Sequence, residues 1–306
     1  MNFFASFQKR ALKPAVFKLT EYSEWESMKV TAIPKLGMGT CFMGEDPLLF
    51  KKEKEALRLG IELGMNFIDT AEMYGEGLSE EFIGKALAGI RREKYIMTSK
   101  VYPHNAGREN IFRSCENSIK RLECGYLDFY LLHWRGDIPL EETVWCMEEL
   151  RRRGLIREWG VSNFDVADMD ELFAVDCGKN CAVDEVMYHI GTRGIEFDLL
   201  PMLKEHNISP VAYCPLAQAG RLRRMREIKD DPLLSEIASA YGITVMQLAL
   251  AFVLRQNGMC AIPKASSADH VLLNRAAADV KIHPDDWEKI DEVYTPPTSK
   301  MFLDME

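Results

Sequence analysis

The sequence predicts an α/β fold, a closed (β/α)8 barrel of the TIM type. Eight short runs of strand character alternate with longer amphipathic segments of helical character, and parallel strands need such crossovers. The length of 306 residues suits one barrel. No G-x-G-x-x-G motif follows an early strand, which argues against an open dinucleotide-binding sheet. We therefore expect a single barrel over residues 28–306 and an N-terminal extension of unknown role over residues 1–27.

The predicted strands are short and apolar, and the helical segments between them repeat apolar residues at three- and four-residue spacing. In chain order the strands are 33–40, 66–70, 94–101, 126–134, 156–164, 181–189, 209–216 and 258–266. The clearest helical segments are 50–64, 108–125, 139–156 and 231–258. The glycines at the predicted helix ends, where this residue favours termination, are Gly64, Gly125, Gly154 and Gly258.

The composition argues against several classes of function. Acidic residues exceed basic residues by nine, which disfavours nucleic acid or an anionic membrane as the main partner. The eight cysteines are scattered without a C-x-x-C pair, so we expect reduced thiols and no metal site. No run approaches the ~18 apolar residues of a membrane span, and the N-terminus lacks a secretory signal pattern. We expect a cytoplasmic protein whose partner is a small molecule.

Polar side chains stand at the ends of three consecutive predicted strands. Asp69 ends the second strand with Tyr74 just beyond it, Lys100 ends the third, and His133 ends the fourth. The C-terminal ends of barrel strands meet at one mouth, where chemistry takes place. Taken singly, each residue has a structural explanation, such as a helix cap for Asp69 or a core position for His133. Taken together, the four form one set with a shared chemical purpose.

That purpose is the protonation of an oxygen atom. A phenol has a pKa of about 10, and a neighbouring ammonium from Lys100 is expected to lower the pKa of Tyr74. Asp69 would hold Lys100 in place, and His133 would orient the reacting oxygen. The set has no nucleophile and no metal, so hydrolysis is poorly explained, and an aldolase with Lys100 as a Schiff base leaves Tyr74 without a role. Carbonyl reduction needs only a hydride donor in addition.

Six motifs in order, FIDTAEMYG, MTSK, LLHW, GVSNF, AYCPLA and IPKAS, resemble those of the aldo-keto reductase family. The resemblance covers the chain from about residue 30 to its end. It implies a (β/α)8 barrel that binds a nicotinamide cofactor, usually NADPH, without a Rossmann fold. It also implies that hydride passes from C4 of the nicotinamide to an aldehyde or ketone while Tyr74 gives the proton. Asp69, Lys100 and His133 complete the implied catalytic tetrad. Most members of the family are monomers, and we expect a monomer here.

The resemblance also implies a set of cofactor-binding residues. Ser162 and Asn163 match the pair that hydrogen-bonds the nicotinamide carboxamide, and Tyr213 matches the aromatic residue stacked under the ring. The loop 218–226 resembles the segment that covers the pyrophosphate. Lys264 and Ser266 are candidates for the adenosine 2′-phosphate. The complete predicted set is Ser162, Asn163, Glu185, Tyr213, Leu216, Arg221, Lys264, Ser266, His270 and Asn274.

Two positions depart from the family pattern. Asp184 and Glu185 stand where the family usually has Asn-Gln. A carboxylate at Glu185 can accept the carboxamide N–H but cannot donate, and a buried Glu185 can instead stay protonated. An ionised Glu185 would favour the oxidised cofactor. His270 stands where many members carry an Arg, and it lacks the bidentate fork, so NADH is an alternative cofactor. NADPH is still expected, because Lys264 remains.

The substrate pocket is predicted from aromatic residues at the strand ends. Phe42, Tyr102 and Trp134 are the candidates, although each also suits packing at the barrel rim. A second class of function is a non-catalytic nucleotide sensor or regulatory subunit on the same fold. A decayed site would be expected to have lost catalytic side chains, and all four are present. The sequence therefore favours the enzyme.

Overall fold

The computed structural model of the chain describes residues 33–217 and 228–305. Eight parallel strands form one sheet in the order of the sequence. They are β1 (Met38–Gly39), β2 (Phe67–Asp69), β3 (Ile96–Val101), β4 (Leu127–Leu132), β5 (Ile156–Ser162), β6 (Val183–Met187), β7 (Ser209–Tyr213) and β8 (Cys260–Ala261). The predicted extension over residues 1–27 and the predicted cofactor residue Arg221 lie outside the described residues.

The sheet closes on itself between its first and last strands. The Gly37 N–H donates to the Ala261 carbonyl oxygen (2.8 Å), and the Ala261 N–H donates to that of Lys35 (2.9 Å). A Cβ added at Gly39 would lie 2.7 Å from the Ile262 carbonyl oxygen, so the two strands approach too closely there for a side chain. The predicted (β/α)8 barrel is confirmed.

Helices follow the strands and cover the outside of the barrel. They are α1 (Phe50–Glu62), α2 (Leu78–Leu87), α3 (Ile111–Leu122), α4 (Leu140–Arg152), α5 (Val166–Ala174), α6 (Leu199–Glu205), α7 (Pro232–Ala240), α8 (Val245–Leu254), α9 (Ala268–Ala277) and α10 (Pro284–Val293). The helix ends predicted at Gly64 and Gly154 are confirmed, because α1 and α4 end two residues before these glycines.

The segment 231–258, predicted as one helical segment, consists of two helices. Gly242, between α7 and α8, has a left-handed backbone with φ of 64°. A capping box then starts α8, in which the Thr244 hydroxyl accepts from the Gln247 N–H and the Gln247 Oε1 accepts from the Thr244 N–H. The apolar periodicity continues across the break and conceals it. In the described part of the chain no single helix is long and apolar enough to cross a membrane, and α7 and α8 pass that test only as a pair bent by 87°.

The barrel interior changes from apolar to polar along the strands. Side chains two residues apart in a strand lie on the same face of the sheet. Phe67 therefore shares the interior face of β2 with Asp69, and Val183 shares that of β6 with Glu185. Phe67 and Val183 belong to the apolar cluster inside the barrel. Asp69 and Glu185, one step later, are each only 2% exposed. An apolar layer therefore supports a dry polar layer at the C-terminal ends of the strands.

Asp184 lies on the other face of β6, towards the N-terminal end of α5. Its side chain is fully buried, and neither carboxyl oxygen has a hydrogen-bond partner among the described residues. The Phe164 N–H lies near enough to favour ionisation weakly, but burial dominates and raises the pKa of Asp184 well above its usual value. Burial without a hydrogen-bond partner among the described residues therefore favours the protonated carboxyl in the folded chain.

Replacing Asp184 by Asn should make stability less dependent on pH. A carboxyl whose pKa is raised by folding contributes full stability below its unfolded pKa and loses it as the pH rises towards the folded pKa. Between about pH 5 and pH 9, the free energy of unfolding should fall less steeply with pH in Asp184→Asn than in wild type. At the upper end the variant should be more stable than wild type by on the order of 1–2 kcal/mol. Urea unfolding at both pH values measures this, with the exposed Asp170→Asn in α5 as control. Equal pH slopes in wild type and Asp184→Asn would contradict a protonated Asp184.

Candidate active site

Lys100 occupies the centre of the polar layer. It lies on β3, is fully buried, and places its Nζ 2.6 Å and 2.7 Å from the two carboxyl oxygens of Asp69 on β2. The same ammonium donates to the Thr70 carbonyl oxygen at 3.1 Å. The Glu185 Oε1, from β6 across the barrel, lies 3.2 Å away. Groups from two other strands therefore fix the position of this ammonium.

Tyr74 begins a short 3-10 turn, Tyr74–Gly77, in the loop that follows β2. Gly75 and Glu76 in this turn have left-handed backbones, with φ of 58° and 51°. The Tyr74 Oη lies 3.3 Å from the Lys100 Nζ, and its ring meets that of His133 edge-on at a centroid distance of 6.0 Å. The structure thus brings together the four side chains that the sequence predicts as one set.

Burial dominates the protonation of Tyr74. It raises the pKa of the phenol well above its ordinary value, although the charge of Lys100 acts in the opposite direction. The expectation that Lys100 lowers this pKa is right for the pairwise interaction and wrong for the net shift. The reason is that a dry interior penalises the phenolate more than one ammonium, already shared with Asp69, can offset. Tyr74 therefore holds its proton at neutral pH, which is the state that a proton donor requires.

His133 is a neutral imidazole. Burial, with a smaller effect from Lys100, lowers its pKa to about 3. The Nδ1 atom has no hydrogen-bond partner among the described residues. The backbone is fixed from both sides, since the N–H donates to the Val101 carbonyl oxygen and the carbonyl oxygen accepts from the Asn163 Nδ2. A fixed, neutral ring suits the predicted hydrogen bond to a reacting oxygen.

Ser162, Asn163 and Tyr213 form a hydrogen-bonded group at the ends of β5 and β7. The Ser162 Oγ donates to the backbone carbonyl oxygen of Glu185 (2.8 Å), and the Asn163 Nδ2 donates to the Ser162 Oγ (3.1 Å). The Tyr213 hydroxyl donates to the Asn163 Oδ1 (2.7 Å). Leu216 lies half-buried in the turn after β7. The group is held in one orientation, and its contact with a nicotinamide ring stays a prediction.

The other predicted cofactor residues lie between the end of β8 and α9. Lys264 is exposed, and Ser266 follows two residues later. Ser267 caps α9 and accepts from the His270 N–H. Asn274, one turn further along, is buried, and its Nδ2 has no partner in the described part of the chain. A helix N-terminus with an exposed lysine beside it suits an anionic group.

The three predicted pocket residues fall into two places. Tyr102 and Trp134 lie edge-on to each other at a centroid distance of 6.0 Å, and the ring of Trp134 is 4.9 Å from that of His133. Phe42 is 44% exposed, and its ring centroid lies 5.4 Å from the Lys264 Nζ. Tyr102 and Trp134 therefore form an aromatic wall beside the catalytic set. Phe42 instead lies beside Lys264, a predicted phosphate-binding residue.

The chain is similar to known proteins along most of its length. The sequence profile of the Aldo/keto reductase family matches residues 35–295. This chain belongs to the aldo/keto reductase family. Methylglyoxal reductase YeaE of Escherichia coli (strain K12) is 47% identical over 274 residues, which are 90% of this chain and 95% of that protein. Glyoxal reductase of Bacillus subtilis (strain 168) is 32% identical over 239 residues, 78% of this chain and 82% of that protein.

The solved structures of this family include one that is similar along most of the chain. An aldo/keto reductase from Klebsiella pneumoniae, crystallised in complex with NADP and acetate, is 49% identical with a TM-score of 0.87. The match covers 90% of this chain and 96% of that one.

Sequence reasoning missed two carboxylates in this aldo/keto reductase. Glu72 accepts from the Tyr102 N–H (2.8 Å) and from the Asn105 Nδ2 (3.1 Å), and Glu76 accepts from the Tyr102 hydroxyl (3.1 Å). Both flank Tyr74 in the segment FIDTAEMYGEG, and that proximity was the available signal. Glu72 therefore holds the backbone of Tyr102, and Glu76 holds its ring.

The side chain of Glu185 points into the barrel interior, which the family resemblance alone does not indicate. Its carboxyl lies against Lys100 and Asp69 in the barrel interior. The alternation with Val183 was the signal, because both side chains share the interior face. Burial and the neighbouring Asp69 raise the pKa of Glu185 well above its usual value. This favours the protonated alternative over the ionised carboxylate that would prefer the oxidised cofactor.

Proposed function

We propose that this aldo/keto reductase reduces small aldehydes and ketones to alcohols with NADPH, and that Tyr74 donates the proton. The observation that carries the proposal is the buried cluster of Asp69, Lys100 and Tyr74 beside a neutral His133 at the barrel mouth. Relatives along most of the chain are a methylglyoxal reductase and a glyoxal reductase. A non-catalytic sensor has no support among these comparisons.

The chain's own residues move and hold one proton. NADPH supplies the hydride when bound. Asp69 and the Thr70 carbonyl hold the Lys100 ammonium 3.3 Å from the Tyr74 oxygen. As the phenolic proton moves to the substrate oxygen, negative charge develops on Tyr74, and the attraction of Lys100 grows with it. His133 hydrogen-bonds the same substrate oxygen and aligns it with the Tyr74 hydroxyl.

The residues present fit NADPH. The buried Nδ2 of Asn274, which has no partner among the described residues, is a donor that suits the adenine. Lys264 and the start of α9 suit the 2′-phosphate, because a cation and backbone N–H groups converge there. Ser162 and Asn163, held by the hydrogen bonds described above, suit the carboxamide.

Replacing Lys264 by Ala should weaken NADPH binding selectively. The 2′-phosphate is absent from NADH, so the loss of a charged partner should raise the Kd for NADPH by about 10- to 100-fold and that for NADH by less than about threefold. Fluorescence titration with both nucleotides measures this. Lys281→Ala, an exposed lysine after α9, is the matched control. Equal losses for the two nucleotides would remove Lys264 from the 2′-phosphate site.

We further propose a small 2-oxoaldehyde of the methylglyoxal type as substrate. Support comes from the two named relatives, and the aromatic wall of Tyr102 and Trp134 lies beside His133, where the substrate oxygen would bind. The test is NADPH oxidation with methylglyoxal, glyoxal and 4-nitrobenzaldehyde, after titration of the protein with NADPH. Tight NADPH binding without turnover of any of these three compounds would refute the proposed enzymatic function. The monomeric state, the cytoplasmic location and the single domain over 28–306 stay predictions.

A further inference from the structure

Lys100 has more acceptors than it can serve. Five oxygen atoms lie within 3.3 Å of its Nζ: both carboxyl oxygens of Asp69, the Thr70 carbonyl oxygen, the Glu185 Oε1 and the Tyr74 Oη. An ammonium has three N–H groups. If both carboxyls are ionised, Tyr74 is the most distant of the acceptors and competes least well.

The net charge of the cluster formed by Asp69, Lys100 and Glu185 also argues against two ionised carboxyls. Asp69, Lys100 and Glu185 are each 2% exposed or less, so two carboxylates and one ammonium would leave a net negative charge in a dry interior. The titratable groups that face Glu185 are Asp69 from β2, Lys100 from β3, Tyr74 after β2, and the Cys260 thiol of β8. Its strand neighbours in register, Ser162 and Val211, bring no charge. One proton on the carboxyl pair makes the cluster neutral.

We propose that Glu185 carries this proton, donates it in a hydrogen bond to Asp69, and acts as a positioning residue that leaves one Lys100 N–H for Tyr74. Asp69 makes the two shorter contacts with Lys100, at 2.6 Å and 2.7 Å, and is therefore the ionised partner. Four oxygen atoms then remain for three N–H groups, so the two Asp69 oxygens share one N–H and the other two meet Thr70 and Tyr74. The raised pKa of Glu185 agrees with this arrangement. The proposal rests on the proposed reductase function.

The arrangement makes activity depend on the protonation of Glu185. When Glu185 loses its proton at high pH, it stops donating to Asp69 and competes for Lys100, and the ammonium is withdrawn from Tyr74. Glutamine at this position keeps the shape and the N–H donor but cannot ionise. Leucine keeps approximate volume and removes the donor. Comparison of these two variants separates the effect of the hydrogen-bond donor at position 185 from the effect of side-chain packing.

The experiment is the pH profile of kcat at saturating NADPH and methylglyoxal for wild type, Glu185→Gln and Glu185→Leu. We expect Glu185→Gln to turn over at least about tenfold faster than Glu185→Leu at neutral pH, and its high-pH decline to lie about one pH unit or more above that of wild type. Comparable turnover in the two variants, or an unchanged high-pH decline in Glu185→Gln, would overturn the proposal.

A second measurement needs no turnover. Infrared spectroscopy of the protein without substrate should show a protonated-carboxyl band that is lost in Glu185→Gln and kept in Asp184→Asn, which removes the other buried carboxyl of β6. Identical carboxyl bands in wild type and Glu185→Gln would overturn the proposal even if the protein reduces methylglyoxal. If no carbonyl compound is reduced but the band is lost in Glu185→Gln, the protonated Glu185 stands and the proposed function fails.

Discussion

Replacing Tyr74 by Phe should slow NADPH oxidation by at least about 100-fold and leave NADPH binding close to that of wild type. The phenol is the group with a proton to give at neutral pH, since His133 is neutral and Lys100 is shared among several acceptors. Loss of a general acid of this kind costs about 10²- to 10⁴-fold in kcat. Steady-state kinetics and nucleotide fluorescence measure the two quantities on the same preparation.

Tyr102→Phe is the matched control for this substitution. It also removes one phenolic hydroxyl near the mouth, but that hydroxyl bonds to Glu76 and lies outside the Lys100 cluster. We expect its effect on kcat to be less than about tenfold. If Tyr74→Phe were no slower than Tyr102→Phe, Tyr74 would not be the acid.

Replacing Lys100 by Met should damage both catalysis and folding. The charge that stabilises the phenolate is lost, so kcat should fall by about 10²- to 10³-fold. The buried carboxyls of Asp69 and Glu185 also lose their cation, which should lower the free energy of unfolding by about 3–5 kcal/mol. Urea unfolding at neutral pH measures the second effect.

A double substitution separates the buried charge from the packing of the lysine chain. Adding Asp69→Asn to Lys100→Met removes the uncompensated carboxylate, so the double variant should be more stable than Lys100→Met alone. Lys85→Met is the control, because its partner Glu81 lies at 3.4 Å and both side chains are largely exposed. That change should cost less than about 1 kcal/mol. A double variant less stable than the single one would contradict a charge-based penalty.

Much of the fold could be predicted because its signals are local. Each of the eight predicted strands contains an observed strand, since alternating apolar runs and amphipathic segments reflect burial directly. The break in 231–258 was hidden because apolar periodicity runs through both α7 and α8, and only Gly242 and the Thr244 capping box mark it. The observed strands are shorter than the predicted runs, because ladder pairing ends before the apolar pattern does.

The residues of the candidate site could be predicted from the sequence, but their net pKa shifts and some of their positions could not. Asp69, Tyr74, Lys100 and His133 follow successive strands, and barrel geometry then places them at one mouth. The net pKa shift of Tyr74 depends on how completely the phenol is buried, which no motif encodes. The separation of Phe42 from the aromatic wall likewise depends on loop conformation, with Phe42 at a φ of 64°.

The most direct test of this account is isotope transfer from the cofactor to the product. NADPH carrying two deuterium atoms at C4 is incubated with methylglyoxal and the wild-type protein, and the alcohol is analysed by mass spectrometry. We expect one deuterium on the new carbinol carbon in each product molecule, and at least about 100-fold less labelled product in the same time with Tyr74→Phe. Alcohol formed without deuterium would show that the hydride comes from elsewhere. Absence of any alcohol, with NADPH bound, would contradict the assignment of Tyr74 and Lys100 to carbonyl reduction.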